Sequence, residues 1–74
     1  MLKAIYYYKG FKILADNEKN AGMFYVFRLQ KGKYTYIPGR RGSGAVSGVF
    51  IESFRSYKEA VQCIKDSFLK KEKN

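Results

Sequence analysis

Residues 23–30 read MFYVFRLQ, the clearest strand pattern in this sequence of 74 residues. Side chains alternate between the two faces of a β-strand, so the odd-numbered and even-numbered residues of this stretch are predicted to lie on opposite faces. The odd-numbered set is Met23, Tyr25, Phe27 and Leu29, and the even-numbered set is Phe24, Val26, Arg28 and Gln30. The pattern predicts a strand within a β-sheet, and the neighbouring segments are predicted to supply the other strands.

The residues before this stretch predict an N-terminal hairpin. Residues 3–8 (KAIYYY) and 11–15 (FKILA) are rich in strand-forming side chains. Between them, Lys9 and Gly10 predict a tight turn in which Gly10 adopts a positive φ angle. Residues 16–22 are polar and predict the loop that leads into the next strand.

The residues after this stretch predict a return strand. Lys31 and Gly32 indicate a second two-residue turn, and residues 33–37 are predicted to run back alongside residues 23–30. Pro38 cannot donate a hydrogen bond to a neighbouring strand, so it ends this strand or marks an edge of the sheet. The predicted sheet hairpins therefore occupy residues 3–38.

Residues 39–48 contain four of the seven glycines together with two arginines, and they predict a mobile Gly/Arg-rich loop. The loop lacks the Gly-Lys-Ser/Thr ending of a nucleotide-binding P-loop. It also leads into a short strand, predicted over residues 49–54, where a dinucleotide-binding fingerprint would lead into a helix. The loop is therefore interpreted as a connection, or as an arginine-bearing arm that orders on nucleic acid.

The hydrophobic period changes after residue 54 and predicts a helix over residues 56–70. Ser56 and Glu59 form a capping box, in which the Ser56 hydroxyl accepts from the Glu59 amide and the Glu59 carboxylate reaches back. Apolar side chains then recur every three or four residues, which is typical of an amphipathic helix with one buried face. They are Tyr57, Ala60, Val61, Ile64 and Phe68.

These elements predict one domain over residues 1–74. Its fold class is α+β, a small antiparallel β-meander of three to five strands with one C-terminal amphipathic helix packed on one face. A single helix covers only part of one sheet face. We therefore expect the other face to meet solvent or a partner, and to carry the function.

The amino-acid composition limits which partners the protein can bind and which kinds of catalytic site it can contain. Fifteen Lys and Arg residues against six Asp and Glu residues give a net charge of +9, which favours nucleic acid or an acidic protein surface as the partner. The sequence has no His, and its only cysteine is Cys63, so catalytic and metal sites built on imidazole or paired cysteines are excluded. We predict no catalytic residue, no metal, no cofactor and no membrane association. A lone cysteine also indicates a reducing, cytoplasmic location.

The positive charge is concentrated in the sheet half of the sequence. No acidic residue lies between Glu18 and Glu52, although six basic residues do. Arg28, Lys31 and Lys33 should cluster at one end of a hairpin, where positive charge fits phosphate groups. The predicted binding residues are Arg28, Lys31, Lys33, Tyr34, Arg40 and Arg41.

Two segments resemble a pattern found in small phage and mobile-element proteins. Residues 22–28 (GMFYVFR) are followed by residues 54–61 (FRSYKEAV), and the combination is similar to the N-terminal arm-binding domains of tyrosine-family integrases. The resemblance implies a three-stranded sheet that enters the DNA major groove. The residues that it places on the DNA-facing strands are Arg28, Lys31, Lys33 and Tyr34. The sequence differs from that family in its extra hairpin at residues 3–15, and its 74 residues leave no room for a catalytic integrase domain.

Three functions remain open at this point. The first is a small non-enzymatic module that binds nucleic acid, DNA in preference to RNA, and contacts phosphates through a basic, aromatic sheet face and the arginine-containing loop. The alternative is an accessory or inhibitor protein of phage or mobile-element type that docks on an acidic protein surface. The third is a toxin-like ribonuclease, which can act with Tyr, Lys and Arg alone. We expect a monomer, or a weak homodimer formed through an uncovered sheet edge.

Overall fold

A computed structural model describes residues 2–17, 21–39, 42 and 44–72, with the backbone alone for residues 68–72. These residues confirm the predicted fold class, an antiparallel α+β fold with one C-terminal helix packed on the sheet. The elements are β1 (Leu2–Tyr8), β2 (Phe11–Asp16), β3 (Met23–Arg28), β4 (Tyr34–Thr35), β5 (Val46–Ser47), β6 (Val49–Phe54) and α1 (Tyr57–Glu72). None of the described residues belongs to a helix with the length and apolar character needed to cross a membrane.

The main sheet has four strands in the order β1-β2-β3-β6, and every neighbouring pair is antiparallel. The predicted hairpin between β1 and β2 is confirmed. Lys9 and Gly10 have φ angles of 48° and 85°, as a tight turn between twisted strands requires. In the centre of the sheet Ile13 lies opposite Val26, and Leu14 lies opposite Tyr25.

The predicted return strand does not pair with β3. Strand β4 covers only two residues and pairs with β5, which lies inside the segment predicted as a loop over residues 39–48. Strand β6 takes the free edge of β3 instead and places Phe50 opposite Phe27, with ring centroids 5.6 Å apart. Closing a longer loop adds little entropy cost, whereas an aromatic pair buries much apolar surface, so the distant strand is favoured over the adjacent one.

The second face of the sheet is covered, which corrects the expectation of an open face. On one face, Ile13 and Val26 pack with residues of α1, and we call this cluster the helix-side core. On the opposite face, Leu14, Tyr25, Phe27 and Ile37 form a second buried cluster, which we call the β4–β5-side core. Ile37 comes from the chain just after β4, and Val46 of β5 packs against the same cluster. The sheet is therefore sandwiched between a helix and a small second sheet.

The helix begins one residue later than predicted, at Tyr57. The Glu59 amide donates to the Ser56 hydroxyl at 3.4 Å, as the capping box predicts. The reciprocal bond to the Glu59 carboxylate is not formed among the described residues. Ala60 and Ile64 are fully buried against the sheet, and the predicted contact of Phe68 concerns a side chain outside the described part of the chain.

Replacing Ser56 by alanine is expected to lower the free energy of unfolding by about 0.5–1 kcal/mol, near the lower end for a helix cap because 3.4 Å is a long hydrogen bond. Chemical denaturation followed by circular dichroism would measure it. Ser56→Asp should retain most of the stability, because a carboxylate also accepts from the first-turn amides. Equal stability of wild type and the alanine variant would show that this bond does not stabilise the helix.

Candidate nucleic-acid interface

A tight turn between β3 and β4 carries two of the predicted binding residues. The Lys33 amide donates to the Gln30 carbonyl at 3.2 Å, which closes the turn over residues 30–33. Lys31 and Lys33 are both exposed at this turn. Together with Tyr34 and Ser47 they line a shallow depression of about 340 Å³. The structure thus brings together three of the six predicted binding residues.

Arg28 lies beside this depression. It ends β3 with the same alternation as Val26, so it points towards the helix side of the sheet. Its guanidinium donates through Nη2 to Oε1 of Gln30 at 3.1 Å, and Gln30 lines the depression. We call the turn over residues 30–33 the lysine turn. Arg28 therefore borders the lysine turn from the helix side of the sheet, and its positive charge adds to that of the two lysines.

Arg40 and Arg41 lie outside the described residues, so their place among the binding residues stays a prediction. Gly39, the described residue next to Arg40, lines a different cavity of about 620 Å³ that is also lined by Gly22, Met23 and Arg55. That cavity is at the start of β3, whereas the lysine turn follows its end. A six-residue strand is about 17–20 Å long, so the two cavities lie at opposite ends of the sheet.

Tyr34 and Tyr36 stand out from the surface next to the lysine turn. Their side chains are 68% and 70% exposed. The residues that alternate with them face inward, since Ile37 is buried and the Thr35 hydroxyl donates to the Gly48 carbonyl at 2.7 Å. Tyr36 was not among the predicted binding residues, although the two-residue period of a strand that includes Tyr34 was the signal that could have found it.

The β4–β5 pair beneath these tyrosines is closed by one hydrogen bond and joined to the main sheet by another. The Gly48 amide donates to the Lys33 carbonyl at 2.7 Å. Lys12 is buried under β5, where its Nζ donates to the Ser47 hydroxyl at 3.1 Å and lies 5.8 Å from the centroid of the Phe27 ring. Burial lowers the pKa of Lys12, because desolvation disfavours the charged ammonium. The β4–β5 pair is therefore a fixed platform on the sheet.

Two groups with potential chemical reactivity, the Asp16 carboxylate and the Cys63 thiol, are fully or partly buried. Asp16 is buried, and its Oδ2 accepts a hydrogen bond from the Tyr25 hydroxyl at 3.1 Å. Burial raises the pKa of the Cys63 thiol, which disfavours the reactive thiolate. Within residues 2–17, 21–39, 42 and 44–72, no group of three or more His, Cys, Asp or Glu could hold a metal ion.

No protein-family profile, curated protein or solved structure shows a significant match to this chain. The resemblance to integrase arm-binding domains is neither supported nor contradicted by these comparisons, and it stays a prediction. The function is therefore argued from the lysine turn and the platform beside it.

Proposed function

We propose that this protein is a small non-enzymatic module that binds nucleic acid, DNA in preference to RNA, chiefly through backbone phosphates. The observation that carries the proposal is the turn over residues 30–33. It holds Lys31 and Lys33 exposed beside the exposed Tyr34. The sequence around it has no acidic residue from residue 19 to residue 51.

The chemistry of the turn favours phosphate contact without base specificity. Lysine ammonium groups are compact, mobile point charges that bind phosphates in many geometries. Two of them on a turn that is hydrogen-bonded to a fixed platform keep positive charge at one place on the surface. Binding of this kind releases counterions and weakens steeply as salt is added.

The double substitution Lys31→Gln with Lys33→Gln is expected to flatten the slope of log affinity against log salt concentration by about 1.8 on duplex DNA. Each phosphate contact contributes about 0.9 to that slope. Fluorescence anisotropy of a labelled duplex across a salt series would measure it. The matched control is Lys58→Gln with Lys65→Gln, because both residues are exposed on α1 and the net charge falls by the same two units.

The outcomes of this comparison distinguish a defined phosphate-binding site at the turn from nonspecific electrostatic attraction between the protein and DNA. A smaller change in the helix variant than in the turn variant supports a phosphate site at the turn. Equal changes in both variants would reduce the effect to attraction by a protein of charge +9. Absence of binding to duplex and single-stranded DNA at low salt would overturn the proposal.

The second candidate is a protein partner with an acidic surface, as for an accessory or inhibitor protein of a phage or mobile element. The observation that favours it is the exposure of Tyr34 and Tyr36, since tyrosines are frequent anchors at protein interfaces. Affinity for an acidic protein with no affinity for DNA would support this candidate. Cleavage of an RNA substrate by the purified protein would support the third function, a toxin-like ribonuclease.

We also propose that the protein is cytoplasmic and that it is a monomer or a weak homodimer. A lone cysteine fits a reducing compartment. Strand β1 is an edge of the main sheet and could pair with another strand, but a charge of +9 on each copy opposes such pairing. Analytical ultracentrifugation at low and high salt would measure the association, which should increase with salt.

A further inference from the structure

We propose that the nucleic acid bound at this site is single-stranded, with neighbouring bases stacked on the rings of Tyr34 and Tyr36. This inference rests on the proposed function and specifies the form of its ligand. The two rings are among the most exposed large hydrophobic side chains of the described residues. Bases stack on aromatic side chains of this kind when their faces are free, whatever their sequence.

The spacing of the two tyrosines suits an extended strand. Tyr36 directly follows β4, and the alternation of the strand continues through it, since Thr35 and Ile37 on either side of it face inward. In an extended backbone, residues two apart lie on one face and are separated by about 6.5–7 Å. This is about twice the 3.4 Å rise per nucleotide of duplex DNA, in which each base face is covered by the next base. An extended single strand can separate its bases by this distance and offer one face to each ring. A duplex cannot do so without unstacking.

The anchoring of the platform also opposes binding in a duplex groove. A two-stranded ribbon that reads DNA inserts into the major groove, which is about 12 Å wide. Here the inner side of the β4–β5 pair is packed on the main sheet, through buried Ile37 and through the hydrogen bond from Lys12 of β2 to Ser47 of β5. The pair is therefore held flat against the sheet, and only its outer surface, with Tyr34 and Tyr36, is available to a ligand.

The charges beside the rings complete the site. Lys33 directly precedes Tyr34, and Lys31 lies two residues earlier on the same turn. A strand whose bases lie on the rings carries its phosphates alongside, within reach of flexible lysine side chains. The rings are held by a backbone that is already hydrogen-bonded, so little order has to be imposed when the ligand binds.

Fluorescence anisotropy with a labelled oligothymidylate of about twelve nucleotides, and with a duplex of the same length, would test the inference. Tyr34→Ala and Tyr36→Ala are each expected to weaken single-strand binding by about 5- to 150-fold, with a change of less than about twofold on the duplex. Tyr34→Phe and Tyr36→Phe are the matched controls, because they keep the ring and lose only the hydroxyl. They should bind the single strand within about threefold of wild type.

The possible results separate this inference from the proposed function. Wild-type single-strand affinity in both alanine variants, with reduced affinity in the Lys31 and Lys33 variant, would overturn stacking and leave phosphate binding intact. Equal losses in the alanine and phenylalanine variants would also overturn stacking, since the hydroxyl would then be the binding group. Absence of binding to either probe would overturn both and favour the protein partner. Thermal melting of each variant checks that the fold is retained, as expected for exposed side chains.

Discussion

Replacing Phe27 by alanine is expected to lower the free energy of unfolding by about 3–5 kcal/mol, the range for removing a buried aromatic ring. Phe27 is 0% exposed and is part of the β4–β5-side core, where its ring and that of Phe50 pack edge to face. A domain of 74 residues has a total stability of about 4–11 kcal/mol, so the variant should be largely unfolded or close to it. Urea denaturation followed by circular dichroism would measure the loss.

The control for this substitution is Leu29→Ala. Leu29 continues the odd-numbered alternation of Phe27 along the chain, but it lies beyond the end of β3 and is 43% exposed. Its replacement should cost less than about 1.5 kcal/mol, because much of its side chain is already in water. If Phe27→Ala destabilised the protein no more than Leu29→Ala, the second core would not exist as described. This face of the sheet would then be open, as the sequence pattern led us to expect.

Gly48→Ala is expected to destabilise the protein by about 2–4 kcal/mol, from backbone strain and a steric clash together. Gly48 joins β5 to β6 with a φ angle of 113°, which side-chain-bearing residues rarely adopt. A Cβ atom at this position would lie 2.9 Å from the carbonyl oxygen of Arg28. That oxygen belongs to the backbone of β3 and cannot rotate away as the end of a flexible side chain could.

Gly10→Ala is the control that separates strain from clash. Gly10 also has a positive φ angle, 85°, but no heavy atom lies within 4 Å of the Cβ that alanine would add. Its replacement should cost about 1–2 kcal/mol from the left-handed backbone alone. The comparison uses the midpoints and slopes of urea denaturation for both variants. Equal losses at the two glycines would contradict the close approach of Gly48 to Arg28.

The local patterns of the sequence predicted the four strands of the main sheet and the helix, whereas β5 lies in a segment predicted as a loop. Alternation over residues 23–28 identified β3, Lys9 and Gly10 identified the first turn, and Ser56 identified the start of the helix. Each of these features depends on residues within a few positions of one another, so their geometry can be read from residue types alone. The position of Lys31 and Lys33 on one exposed turn was predicted for the same reason.

Only the tertiary structure decided which strands pair and what covers the second face. The turn after β3 forms as predicted, yet β4 leaves the sheet and β6 takes its place, because Phe50 and Phe27 bury each other's rings. Ile37 and Val46 then close over the second face, and Tyr34 and Tyr36 are left facing water. The alternation of residues along a strand indicates which side chains share a face, but it does not indicate which distant segment covers that face. That choice depends on how much apolar surface each long-range pairing buries, and this is a property of the whole packed chain.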